Sequence, residues 1–134
     1  MLTRRLFASC ALCAATGLIA TKAYAQPAAG GVKRTILQQT DGPAGYVTIL
    51  VRGEIPPGGN VMRHTHPGIE SAYLIEGGGT LSVKGLPDRL LAAGDSFQVA
   101  ANTPHALRNG DAVTRIASTY VVEKDKPLSS PAPD

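Results

Sequence analysis

Two histidines spaced i, i+2 (His64 and His66), a glutamate at 70 and a third histidine at 105 constrain this chain more than any other feature. In an extended segment from Asn60 to His66, residues i and i+2 project to the same face, so both imidazoles reach one point. Pro67 and Gly68 break that run. Glu70 then opens a second apolar run, Ala72 to Ile75, expected to fold back antiparallel beside the first and bring a carboxylate to the imidazoles. His105 lies so far downstream that only a closed sheet or barrel delivers it to the same place. The pattern reads as a metal site, and the site asks for an all-β fold.

The rest of the sequence supplies such a fold. Short apolar runs alternate with turn signals: Thr35 to Gln38, Tyr46 to Arg52, Asn60 to His66, Ser71 to Glu76, Thr80 to Val83, Arg89 to Leu91, Ser96 to Val99, His105 to Arg108 and Val113 to Val122. Asp41-Gly42-Pro43, Pro56-Pro57-Gly58-Gly59, Gly77-Gly78-Gly79, Gly85-Leu86-Pro87, Gly94-Asp95 and Asn109-Gly110-Asp111 punctuate them, the spacing of a sandwich or barrel. Gly77 to Gly79 reads as a hairpin connection, with no helix after it to make a phosphate loop. Asp95 reads as a turn residue bonding nearby amides. No helical period is sustained, and 134 residues make one domain.

Residues 1–25 have the pattern of an export signal. Arg4 and Arg5 precede an uncharged stretch from Leu6 to Ala20, and Ala23-Tyr24-Ala25 is a small-residue end, so cleavage is expected before Gln26 and the product is expected in the periplasm or outside the cell. Thr3-Arg4-Arg5-Leu6-Phe7 also fits the twin-arginine class. Cys10 and Cys13 leave with the signal, and so do three basic residues. Ten basic residues then stand against ten acidic ones. That balance removes the electrostatic case for nucleic acid or for an anionic membrane. Residues 26–33 read as a linker and 34–123 as the folded domain. Residues 124–134, rich in Pro and Ser, have too little apolar surface to order themselves.

With these residues in view, the chain resembles the cupins, small jelly-roll β-barrels. Their first motif is filled by Gly58, His64, His66, Glu70 and Gly77 at the family's spacing. Gly94, His105 and Asn109 match the second, in which Ala100 stands for a Pro and Asn102 for a Gly. Asn tolerates a left-handed backbone better than other non-glycine residues, so the turn can still form. The resemblance spans roughly Gly45 to Val122. It implies a single cupin barrel holding one divalent transition metal on His64, His66, Glu70 and His105. All three histidines of the chain fall on ligand positions. Nitrogen and oxygen donors without sulfur suit Mn, Fe, Co, Ni, Zn or Cu; export in the folded state, with metal acquired inside the cell, favours Mn or Fe.

Strand parity from the histidines turns Met62, Ala72, Leu74 and Leu107 inward and Arg63, Thr65, Tyr73 and Arg108 outward. The lining is therefore apolar. With every histidine a ligand, only Tyr46, Tyr73 and Tyr120 are left as acid or base candidates beside Glu70. A reaction centred on the metal, with Glu70 shifting between ligand and base, needs no further catalytic side chain. The resemblance extends to quercetinase-like dioxygenases and implies an oxidoreductase acting on a small oxygenated molecule that chelates the metal. A non-catalytic metal- or ligand-binding protein and a metal-assisted isomerase or lyase are the alternatives. The apolar run from Val113 to Val122 would suit pairing into a homodimer through a sheet face or edge.

Overall fold

A computed structural model describes residues 25–27 and 30–133. Among them the strands are β1 (Ala25–Pro27), β2 (Lys33–Asp41), β3 (Tyr46–Ile55), β4 (Asn60–Thr65), β5 (Gly68–Glu76), β6 (Gly78–Val83), β7 (Arg89–Ala92), β8 (Ser96–Val99), β9 (His105–Asn109), β10 (Thr114–Glu123) and β11 (Ser130–Pro131), with no helix. They form two sheets, ordered β1-β2-β3-β10-β5-β8 and β11-β4-β9-β6-β7. The sheets close face to face as an all-β jelly-roll barrel. Each of the nine runs read from the sequence is a strand.

The core follows from alternation. Along β10, Thr114, Ile116, Ser118, Tyr120 and Val122 are buried while their neighbours are half-exposed, and β5 does the same with Gly68, Glu70, Ala72 and Leu74. Ile55, Leu74, Val51 and Val122 are almost wholly excluded from water, each contributing roughly 1.5–3 kcal/mol by burial. The apolar packing divides into two groups, one around Leu74, Leu81, Phe97 and Leu107 and the other around Ile49, Val51, Tyr120 and Val122. The inward polar residues His64 of β4, Glu70 of β5, His105 of β9 and Ser118 and Tyr120 of β10 gather at one end of the barrel, and Asn109 of β9 and Thr114 of β10 at the other.

Several expectations are corrected. The segment around Pro67 and Gly68 is a corner between sheets rather than a hairpin, because β4 pairs with β9 and β5 with β10 and β8. Gly68 is obligatory there, since a Cβ would stand 1.9 Å from the Val121 carbonyl oxygen. Gly77 to Gly79 likewise carries the chain from one sheet to the other. Met62 points outward, 63% exposed, because a bulge between Val61 and His64 sets two residues of β4 against one of β9 and turns Val61 inward instead. β10 lies between β3 and β5, so it cannot serve as an edge for pairing with a second copy.

In both flanking segments the described residues include a strand that composition does not suggest. Val32 is buried in the core, and β1 pairs with β2 across residues 25–27. The expected signal lies outside the described residues apart from Ala25, and the expected cleavage point falls within β1. The tail contributes β11, which pairs with Thr65 and His64 of β4. It gains order from backbone hydrogen bonds to an open strand edge, which an estimate from apolar burial does not count.

Candidate metal centre

The bulge in β4, the corner at Gly68 and the start of β9 bring His64, His66, Glu70 and His105 together, with one ligand atom from each lying within 4.8 Å of the others. His66, Glu70 and His105 are 3–5% exposed; His64, at the rim, is half-buried. The second motif is tied to the first by Asn102, whose amide donates to the His66 carbonyl at 2.8 Å. Asn102 has φ 57°, the left-handed backbone that its place in the motif requires.

Tautomers decide what the cluster can hold. Each Nδ1 faces a backbone carbonyl: His64 that of Met62 at 2.8 Å, His66 that of Leu128 at 2.6 Å and His105 that of Thr103 at 2.8 Å. A carbonyl only accepts, so each Nδ1 carries the proton, and in a neutral ring Nε2 is then a bare acceptor. The three Nε2 atoms nevertheless point at one another and at a carboxylate. His64 Nε2 lies 3.0 Å from His66 Nε2, and Glu70 Oε2 lies 3.3 Å from His66 Nε2 and 3.1 Å from His105 Nε2. Four acceptors facing inward leave a cation at their shared focus as the arrangement that keeps all three rings neutral. Three imidazoles and a carboxylate suit a divalent transition metal, and the residues present fit it.

Glu70 divides its two oxygens between protein and focus. Oε1 accepts from Ser118 Oγ and from Tyr120 Oη, both at 2.9 Å, which leaves Oε2 for the centre. Burial pushes the Glu70 carboxyl up, but in the absence of an ion hydrogen bonds from His105 and His66 once these rings take up a second proton, and the charge they then carry, outweigh it and hold the group well below its ordinary range. Burial, then the nearby His105, lowers His64 from 6.5 to about 4. Burial and the Glu70 carboxylate push the Tyr120 hydroxyl far up. The phenol is therefore a donor rather than a base toward Glu70.

All four ligand candidates read from the sequence meet. Leu74 and Leu107 are buried as expected and Tyr73 is exposed. Asp95 accepts from the Ala92 amide at 2.8 Å, as a turn residue should. Sequence alone does not single out Ser118, and strand parity sets Tyr73 apart without separating Tyr120 from Tyr46. Period-2 parity along Thr114 to Val122 would have turned both Ser118 and Tyr120 inward. The Leu128 carbonyl that orients His66 carried no such signal, because any residue type supplies a carbonyl.

The profile of the cupin domain matches residues 51–121. No protein of curated function matches the chain in sequence. Among solved structures, DMSP lyase DddQ from Ruegeria pomeroyi DSS-3 is 22% identical with a TM-score of 0.57, over 63% of this chain and 43% of its own. This chain thus spans less than half of that lyase. KdgF from a Halomonas species is 19% identical with a TM-score of 0.62, covering 76% of this chain and 90% of its own. A cupin-2 domain protein from Rhodospirillum rubrum is 21% identical with a TM-score of 0.64, covering 84% and 74%. At these identities the likeness is one of fold. The profile spans more than half the chain and contains the bulged strand, the corner and the second-motif turn that bring the ligands together, so the chain belongs to the cupin family.

Proposed function

We propose that this cupin is a metal-dependent enzyme acting on a small oxygenated molecule that chelates the ion, and we read it first as a dioxygenase-like oxidoreductase. The observation that carries the proposal is the tautomer argument: three histidines fixed by carbonyls at Nδ1 turn bare Nε2 atoms toward one another and, from His66 and His105, toward Glu70 Oε2. Mn or Fe is favoured if, as the N-terminal sequence suggests, the protein is exported already folded. A bound ion, held by His64, His66, Glu70 and His105, would act as a Lewis acid and would supply redox chemistry to a chelating substrate.

The chain's own residues do the rest. Ser118 and Tyr120 fix the Glu70 carboxylate through Oε1 and so aim Oε2. A cavity of about 50 Å³ beside the cluster is lined by Val51, Ile55, Leu81, Phe97, Leu107 and Ile116 among others, which limits both water and substrate size. No histidine is left over as an independent base. A second reading, a lyase or isomerase that transfers a proton, is favoured by the Tyr120 hydroxyl on Glu70, and the neighbours of like fold include DMSP lyases.

Elemental analysis of the purified protein and of His105→Ala, with O2 uptake followed on the same samples across a panel of hydroxy and keto compounds, tests the proposal. Stoichiometric Mn or Fe lost in the variant, with substrate-dependent O2 uptake, is the expected result. Metal with turnover but no O2 uptake selects the lyase or isomerase. Metal without turnover leaves a binding protein, and the absence of metal overturns the site.

A further inference from the structure

On the inward face of β2, between buried Val32 and the core-packed Ile36, stands Arg34. Alternation calls for an apolar residue at this position, as it does at 32 and 36. Opposite it on β3 is Gly53, which also lines the cavity and where an added Cβ would meet nothing closer than 3.9 Å. The pair is therefore a long cation beside a missing side chain. Arg34 lines the inner cavity together with His64, Glu70, His105 and Tyr120. It also lines an outer groove of about 210 Å³ together with Val32, Val61, His64, Ser130 and Pro131. It thus stands where the groove opens into the cavity.

Other basic residues show what is unusual here. Arg115 pairs with Glu54 and Glu76, Arg52 with Glu54, and Lys124 with Asp41. Arg34, half-buried, has no acidic partner and no side-chain hydrogen bond among the described residues. The acid nearest the cavity, Glu70, is committed to Ser118, Tyr120 and the histidines. A half-buried guanidinium with no protein partner keeps its donors open to solvent and free for an anion. The centre adds to this, because a divalent ion on one carboxylate leaves net positive charge beside the arginine.

We propose that Arg34 is the specificity-determining residue of this site and that the substrate is a small carboxylic acid, its carboxylate held by the Arg34 fork and its hydroxyl or keto oxygen directed to the His64, His66, Glu70 and His105 cluster. Guanidinium and carboxylate match as a two-point fork, and the small apolar cavity has space for little beyond a short carbon skeleton. The proposal rests on the metal-centre reading for the second contact only. The carboxylate contact belongs to Arg34.

Calorimetric titration with acetate, lactate and pyruvate, each against its neutral amide, tests this on the metal-loaded and the chelated protein, for the wild type, Arg34→Gln and Arg34→Lys. The wild type is expected to bind at least one acid roughly 10- to 100-fold more tightly than its amide. Arg34→Gln loses that preference with metal content unchanged, and Arg34→Lys restores part of it. A preference that persists in Arg34→Gln, or no binding of any of the acids at millimolar concentration, overturns the proposal. If the protein retains no metal but still shows Arg34-dependent preference for acids, the metal reading fails and the arginine proposal stands; retained metal with an indifferent Arg34→Gln is the reverse.

Discussion

The barrel buries two polar clusters, and they are built on opposite principles. At the closed end, Asn109 Nδ2 donates to the carbonyls of Pro56 at 2.7 Å and Ala112 at 2.9 Å, with that of Ile55 at 3.2 Å. Its Oδ1 lies 2.7 Å from the Thr114 hydroxyl, which accepts from the Gly78 amide at 2.8 Å. Donors there meet acceptors. At the open end, the Nε2 atoms of three histidines meet one another and a carboxylate oxygen. A cluster that satisfies itself holds the fold together, and one that faces acceptor to acceptor is waiting for a cation. Asn109 and His105 come from the same sequence motif, so membership in a motif does not separate structural residues from ligand candidates; the donor and acceptor count does.

Exchanging residues between the two roles tests that difference, and the largest effect is expected at the closed end. Asn109→Ala strands three carbonyls and the Thr114 hydroxyl, and should lower unfolding stability by about 3 kcal/mol, read from urea denaturation. The folded fraction should keep its full metal content. If Asn109→Ala lost metal while keeping its stability, the division between the clusters would collapse.

A smaller effect is expected where the open end borrows support from outside the motifs. His64 and His105 are anchored by carbonyls two residues before them, Met62 and Thr103, whereas His66 is anchored by Leu128, 62 positions downstream. Ending the chain after Pro127 removes that carbonyl and β11 together. The truncated protein should fold, and its metal affinity should fall roughly 10- to 100-fold, the usual cost of losing a group that orients a ligand. Competition with a chelator of known affinity measures this, and unchanged affinity would show that the His66 tautomer is set elsewhere.

What could be read in the sequence divides along similar lines. The nine strands follow from local alternation and turn spacing, and the four ligand candidates and the left-handed Asn102 from motif spacing and backbone preference. Met62 was misplaced because a bulge changes parity without a Gly or Pro to announce it. The corner at Gly68 is not legible, because two runs joined by a short break do not say whether they pair with each other or with strands far away. Arg34 is not legible either, because it stands in the sequence at the boundary between linker and domain, and only the pairing of β2 with β3 turns it toward the site.

The smallest expected effect comes from pH, to which the two clusters should respond differently. The closed-end cluster has no titrating side chain, so Asn109→Ala should displace a plot of stability against pH without changing its slope. At the open end, His64 has a folded value of about 4, below the 6.5 of an unconstrained ring, and Glu70 is held below its ordinary range. The other charged or titratable groups facing them are Arg34 from β2, His66 beyond β4, His105 from β9 and Tyr120 from β10. Below pH 6.5 the unfolded chain takes a proton at His64 that the folded one refuses until about 4, so unfolding is coupled to proton uptake. Stability contributed by His64 is thus complete above about pH 6.5 and lost as pH falls through 4, and Glu70 acts in the same direction at lower pH. For the chelated protein the loss from His64 should be only about 1 kcal/mol, because the half-buried ring keeps contact with water and solvent screens its neighbours. His64→Asn should flatten the curve between pH 6.5 and 4. A variant that kept the wild-type slope would assign the acid sensitivity to another group and remove His64 from the set of rings held neutral for a cation.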